Sequence, residues 1–271
     1  MVPWWPDAFR LPAEDAVALD TSSSADPATL RASGRIRIAV PRLSRIANFD
    51  DFDPLAQEPG VELIMVAPGQ SIPHGLDAII LPGTKATLAD LAFFRAQGWD
   101  TDLLTYAWAG GRVWGICGGY QMLGHRVEDP DGVEGPAGGA RGLGLLDVVT
   151  VLAGHKVLTE ERGWDCLTGA RVAGYEMHIG RTTGPDCARP MLRLESGRFD
   201  GAVSADGRVR GCYLHGLFGG DSARAAFLAE LGGAASGLNY QAEVERTLDR
   251  LADYVECHIQ VDALLAIAGG C

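Results

Sequence analysis

Apolar residues fall in short blocks along the first half of the chain. Ile36, Ile38 and Val40 form one block, stopped by Pro41. Residues 61–66 form a second, and residues 77–81 a third that stops at Pro82-Gly83. A fourth runs through Val113 and Trp114 into Cys117. Each has the length and flanking residues of a buried strand. Helical spacing of apolar positions occupies residues 86–96 and 102–109. Strands and helices joined by short loops predict an α/β fold with a parallel, helix-covered sheet. Such sheets bind ligands at the carboxyl ends of their strands.

The pattern changes after residue 130. Asp129-Pro130-Asp131-Gly132 and the glycine-rich residues 135–144 read as loop. Strands are expected at 145–152, 171–177 and 209–214, with hairpin-type turn residues at Phe199-Asp200-Gly201 and Asp206-Gly207. Asp221 suits the cap of a helix to about residue 231. Val244, Leu248, Leu251, Val255 and Ile259 trace one face of a last, amphipathic helix. At the other end, Pro3, Pro6 and Pro12 break regular structure, and Thr21-Ser22-Ser23-Ser24 before Pro27 reads as linker. Three units are expected: residues 1–34 as linker, 35–235 as the main domain, and 236–271 as a helical tail packed on it.

Composition narrows the function classes. A chain of 271 residues can hold one large α/β domain or two smaller ones. The formal charge of −12 disfavours nucleic acid and anionic membrane as partners held by a general field. No apolar run reaches the roughly 18 residues that span a bilayer. None of the six cysteines makes a C-x-x-C pair, so neither a metal knuckle nor a thioredoxin motif is expected. A reducing cytoplasm is the default location, with Cys117 reactive rather than bridged.

Candidate chemistry gathers at Gly115-Ile116-Cys117-Gly118-Gly119. G-x-C-x-G is the thiol form of the nucleophile elbow, a sharp strand-to-helix turn. Glycines at its flanks are expected to let the backbone take that turn. A helix N-terminus favours thiolate. The nucleophile needs a base, and His178 and His215 both end strand-like runs. His215 comes late in the chain, as in hydrolases, and is the stronger candidate. The amides of Gly83 and Gly118 are candidates for an oxyanion hole.

With these motifs in hand, the chain resembles the class I, cysteine-nucleophile glutamine amidotransferases. Within them it is similar to the corrin-amidating cobyric acid synthase branch. The finer likeness rests on Leu81 to Leu91, Arg95-Ala96-Gln97-Gly98-Trp99-Asp100, Gly174 to Thr182, Tyr213-Leu214-His215-Gly216-Leu217-Phe218, the loop Asn48 to Leu55, and Leu11 to Leu19. The resemblance implies a flavodoxin-like three-layer sandwich: a mainly parallel central sheet, antiparallel additions after residue 145 and a C-terminal helix. It implies glutamine hydrolysis through a Cys117 thioester. The ammonia would serve an ATP-dependent synthetase, a ligase acting on corrin carboxylates in cobalamin biosynthesis. ATP and Mg would belong to that synthetase, and no cofactor or metal to this chain, which has no G-x-x-x-x-G-K-[ST]. The corrin would bind mainly there too. On this reading the chain is a fragment, the C-terminal glutaminase portion, and residues 1–34 are a remnant of the synthetase and its linker.

The sequence departs from the wider family in one place. Most class I members carry a glutamate two residues after the histidine, where this chain has Leu217. Asp51, in the loop after the first strand, is the candidate third catalytic residue, with Asp50 and Asp53 as alternatives. Gln121, Tyr175, Glu176 and His178 are expected to line or support the glutamine pocket. Two other functions remain open on sequence: an amidotransferase subunit for a peptidoglycan precursor, and a catalytically silent docking module.

Overall fold

In the computed structural model, which describes residues 2–12, 34–154 and 157–269, the four apolar blocks become neighbouring parallel strands. They are β1 (Ile36–Pro41), β2 (Val61–Val66), β3 (Ala78–Leu81) and β4 (Arg112–Ile116). Between β3 and β4 lie α1 (Thr87–Ala96) and α2 (Trp99–Trp108), and α3 (Gly118–Leu123) follows β4. The linker expected around Thr21 to Pro27, and residues 13–19 of the family-like segment, lie outside the described residues.

Later strands complete the sheet. β5 (Val157–Asp165) and β6 (Arg171–His178) form an antiparallel pair, β7 (Val209–Cys212) runs parallel beside β4, and β8 (Leu214–His215) pairs with β6. The central sheet reads Ala202–Val203, β7, β4, β3, β1, β2, with only its first pair antiparallel. A second, antiparallel sheet reads Phe199–Asp200, Leu192–Leu194, β5, β6, β8.

Why the central strands read as apolar runs is plain from their burial. Ile36, Ile38 and Val40 of β1 face one core with Ile80, Trp114 and Ile116. Ala39, Ile79 and Val113 face the other. A parallel strand covered on both faces favours apolar residues at nearly every position, and the buried exception on β1, Arg37, pairs with Glu62 of β2 at 3.0 Å. One cover is α1, α2 and α3, through Phe94, Trp99, Leu103, Tyr120 and Leu123. The other is the second sheet with α4 (Asp221–Glu230), through Val172, Leu192, Phe227 and Leu228.

The structure corrects several expectations. The stretch read as loop contains a strand, Gly138–Arg141, which pairs with Arg126–Asp129 just before it. The strand expected at 145–152 shrinks to Val149–Val151. β5 was not legible at all. Its Glu161 is buried yet paired with Arg198 at 2.7 Å, so a strand with an ionic sequence sits inside the sheet. Asp221 is the first residue of α4 rather than its cap; the cap position is Gly220, and the Asp221 carboxylate pairs with Arg224 at 2.9 Å.

The tail forms α5 (Tyr240–His258) and α6 (Val261–Ala268). The buried stripe of α5 passes through Thr247, at 0% exposure, and leaves Leu248 at 44%. Thr247 satisfies its hydroxyl on the Glu243 carbonyl at 2.8 Å, which makes burial tolerable. Trp5 meets Tyr254 at 6.2 Å between ring centroids, so the N-terminal segment docks on α5. The buried Glu58–Arg224 pair, 2.7 Å apart, joins the β1–β2 crossover to α4, and Glu58 also accepts the Ser236 N–H at 2.9 Å. No helix among the described residues is long and apolar enough to cross a membrane.

Candidate active site

Four chain segments leave the carboxyl ends of adjacent strands and converge. β4 delivers Cys117, β3 delivers Pro82-Gly83, β1 leads to the turn at residues 48–52, and β7 leads through Tyr213 to His215. The sheet therefore concentrates polar groups on one edge.

Cys117 carries φ 52° and ψ −112°, a conformation that L-residues rarely adopt. Its N–H donates to the Cys212 carbonyl at 2.9 Å, which pins the elbow to β7. The strained φ belongs to the cysteine itself, while Gly115, Gly118 and Gly119 have ordinary φ and, as expected, serve by offering no Cβ to clash. Their role is close approach. A Cβ on Gly119 would lie 2.2 Å from the Leu81 carbonyl oxygen, and one on Gly115 would lie 2.7 Å from the Tyr120 amide. α3 can start directly against β3 and β4 only with hydrogen at these sites.

His215 Nδ1 lies 2.8 Å from Asp51 Oδ2, and the Gly216 N–H donates to Asp51 Oδ1 at 2.6 Å. Histidine and aspartate side chains are both 2% exposed. Burial works against a charged imidazole, but hydrogen bonds to Asp51 and Cys117 outweigh it and push the His215 pKa up to about 10. Leu217, at the position where a glutamate was expected in other class I members, is buried in the core. The other two acids of the turn do not bond the imidazole. Asp50 is exposed on the surface, and burial with the charges of Asp50 and Asp51 pushes Asp53 up to about 7.

Gly83 closes the far side. A Cβ there would lie 2.9 Å from His215 Cε1 and 3.7 Å from Cys117 Cβ. The loop is clamped by Asp90, fully buried, which accepts the Thr84 hydroxyl, the Ser44 hydroxyl at 2.5 Å and the Arg45 N–H. Gly118 is the first residue of α3, so helix geometry leaves its N–H without an intrahelical acceptor. Gly118 thus keeps a helix-start amide next to the nucleophile, while Gly83 approaches Cys117 from the Ile46–Ala47/Gly83–Thr84 ladder, opposite Ala47.

The remaining expected residues separate by role. Tyr175 stacks on His215, with centroids 5.4 Å apart and planes 25° apart. Gln121 has its amide engaged inside the protein: it accepts from the Thr87 hydroxyl at 2.9 Å and donates to the Ile179 carbonyl at 2.9 Å and the Tyr213 hydroxyl at 3.3 Å. It braces the pocket wall rather than offering an amide to a ligand. The Glu176 carboxylate is likewise held, by Arg198 at 2.9 Å. His178 stacks on Tyr213 at 3.6 Å, and burial pushes its pKa down, away from the charged form. Sequence reading passed over Asn48, Asp90 and the Met177 carbonyl, which accepts from Cys117 Sγ at 3.6 Å. A backbone acceptor has no side-chain signal, and Asp90 sits in a helical pattern like any solvated acid.

One glycine makes the histidine's position depend on β6. A Cβ on Gly174 would stand 1.8 Å from the His215 carbonyl oxygen. Gly174→Ala is therefore expected to push β8 off β6, cost about 2–4 kcal/mol of stability by chemical denaturation, and displace His215 from Asp51.

A model of the CobB/CobQ-like glutamine amidotransferase domain matches residues 37–223. The cobyric acid synthase of Caulobacter sp. (strain K31) is 56% identical over 269 residues, covering 99% of this chain and 54% of that protein. A cobyric acid synthase of Rhodobacter capsulatus is 57% identical over 269 residues, with 98% of this chain and 54% of that protein covered. The chain spans about half the length of the curated relatives it matches. Among solved structures, a crystal structure of a glutamine amidotransferase aligns with TM-score 0.52 and 20% identity, over 72% of this chain and 98% of that one. At that identity the likeness concerns the fold.

Proposed function

The chain belongs to the CobB/CobQ-like glutamine amidotransferase family, and from that premise we propose that it hydrolyses glutamine to glutamate and ammonia at Cys117. The observation that carries this reading is the Asp51–His215 pair, 2.8 Å apart, with the imidazole also hydrogen-bonded to a strained Cys117.

The reaction balances on these groups alone. The Cys117 thiolate attacks the glutamine carboxamide carbon, and a C–S bond forms as the C=O π pair moves to oxygen. The N–H groups of Gly83 and Gly118 receive that oxyanion. The protonated His215 gives its proton to the carboxamide nitrogen, the C–N bond breaks, and ammonia leaves a γ-glutamyl thioester. His215, now neutral, takes a proton from water. The resulting hydroxide breaks the thioester, and glutamate departs. Asp51 holds the imidazole in the Nδ1–H tautomer throughout.

The wider role follows the named relatives, which are cobyric acid synthases. We place the ammonia in amidation of corrin carboxylates in cobalamin biosynthesis, performed by an ATP-dependent synthetase partner. ATP and Mg belong on that partner, in keeping with relatives about twice as long as this chain.

Alkylation tests the site. Iodoacetamide should label Cys117 much faster than the exposed Cys166 and Cys257, and glutamine should block it. Slow, pH-independent labelling of Cys117 with no protection by glutamine would remove the proposed activity.

A further inference from the structure

Asn48 joins two of the elements that hold His215, the Asp51 turn and β6. It follows Ala47, which pairs with Gly83 in the antiparallel Ile46–Ala47/Gly83–Thr84 ladder. Its own backbone is left-handed, with φ 54° and ψ 43°. Apart from Cys117, it is the only non-glycine residue among the described ones with positive φ. Its carbonyl accepts the Asp51 N–H at 3.0 Å and so starts the turn that presents the carboxylate. Its side-chain Nδ2 donates to the Tyr175 hydroxyl at 2.5 Å, across 127 residues of sequence.

Tyr175 in turn covers a face of the His215 ring, while Asp51 takes its Nδ1 edge. One residue thus fixes both contacts that orient the imidazole: the acid through the main chain and the aromatic ring through the side chain. The residue type fits the double task. Asparagine tolerates the left-handed region better than other side chains, and it carries an amide donor. Glycine would keep the turn but lose the donor. Alanine would lose both.

We infer that Asn48 is a positioning residue for His215, acting through Tyr175 and the Asp51 turn. This rests on the glutaminase reading above and names the part that keeps its base in place. The tyrosine ring over the imidazole also favours the charged ring, as aromatic faces attract cations. The groups facing His215 are Asp51, Cys117, Tyr175 and His178, with Asp50 at longer range. Of these, only Tyr175 is tethered by the Asn48 side chain.

The test is Asn48→Gly, which preserves the backbone turn, alongside Tyr175→Phe and the double variant in the 271-residue chain. Two readouts are needed: histidine-ring NMR titration without substrate, and steady-state glutamine hydrolysis. Asn48→Gly should lower the His215 pKa by about one unit, because the ring loses its fixed aromatic cover. It should cut kcat about tenfold with little change in KM, since a loosened base costs the chemical step rather than binding. Tyr175→Phe should match it, and the double variant should equal either single one, because the two share one hydrogen bond. An unchanged His215 titration in Asn48→Gly, or effects that multiply in the double variant, would overturn the assignment. The titration needs no turnover. A shifted His215 in a chain that does not hydrolyse glutamine would support the positioning role and count against the glutaminase reading instead.

Discussion

Asp51→Asn should leave a folded protein whose kcat for glutamine hydrolysis is lower by about a thousandfold to ten-thousandfold, as when the orienting acid of a triad becomes an amide. The geometry explains why so small a change is expected to cost so much. Asp51 accepts twice, from Gly216 N–H at 2.6 Å and at the His215 Nδ1 edge at 2.8 Å. Asparagine has one carbonyl oxygen and one NH2 group. If its oxygen serves Gly216, its NH2 meets Nδ1 and forces the ring proton onto Nε2, the nitrogen meant to exchange protons at the reacting sulfur and nitrogen. If its oxygen serves His215, the NH2 meets the Gly216 donor and the turn is pushed apart.

The lost charge has a second consequence. Burial alone would keep the imidazole neutral, and the Asp51 hydrogen bond is the leading reason that its pKa stands at about 10. A histidine raised in the folded state stabilises the fold only where it is protonated. The wild-type advantage over Asp51→Asn is therefore fully present below pH 6.5 and disappears as the pH rises through about 10. Urea denaturation of both proteins at pH 6.5 and above pH 10 checks this, and kinetics at neutral pH check the rate. Equal kcat in the two proteins would mean that another group orients His215.

How much of this was legible in the sequence follows from distance along the chain. The elbow is contiguous, and a run from Gly115 to Gly119 carries its own signal. The four central strands were legible because burial on both faces demands apolar runs. Asp51 and His215 meet across 164 residues, so the sequence favoured Asp51 only by the place of its loop, with Asp50 and Asp53 as alternatives. Only the fold separates them: Asp51 has the Gly216 amide and the imidazole, while Asp53 is driven toward its neutral form. Polar residues satisfied inside the protein misled the reading most. Glu161 on β5 and Thr247 on α5 are both buried, and each is made tolerable by a partner that periodicity does not show. Gln121 and Glu176 were expected to line or support the pocket, and the sequence does not separate those two roles. Their polar atoms turn out to be committed to Ile179, Thr87 and Arg198.

Cys117→Ser tests the central claim most directly. Serine is nearly isosteric, so it keeps the elbow, the flanking glycines and the packing of α3. What it lacks is an acidic proton. An imidazole whose pKa stands at about 10 is already protonated at neutral pH and suits a thiolate partner. It is a poor base for a hydroxyl, which must give up its proton during attack. Glutamate release from glutamine, followed with equal amounts of the two proteins, should fall at least about a thousandfold in Cys117→Ser. Hydrolysis at the wild-type rate in that variant would contradict the assignment of Cys117 as nucleophile and, with it, the whole account of the site.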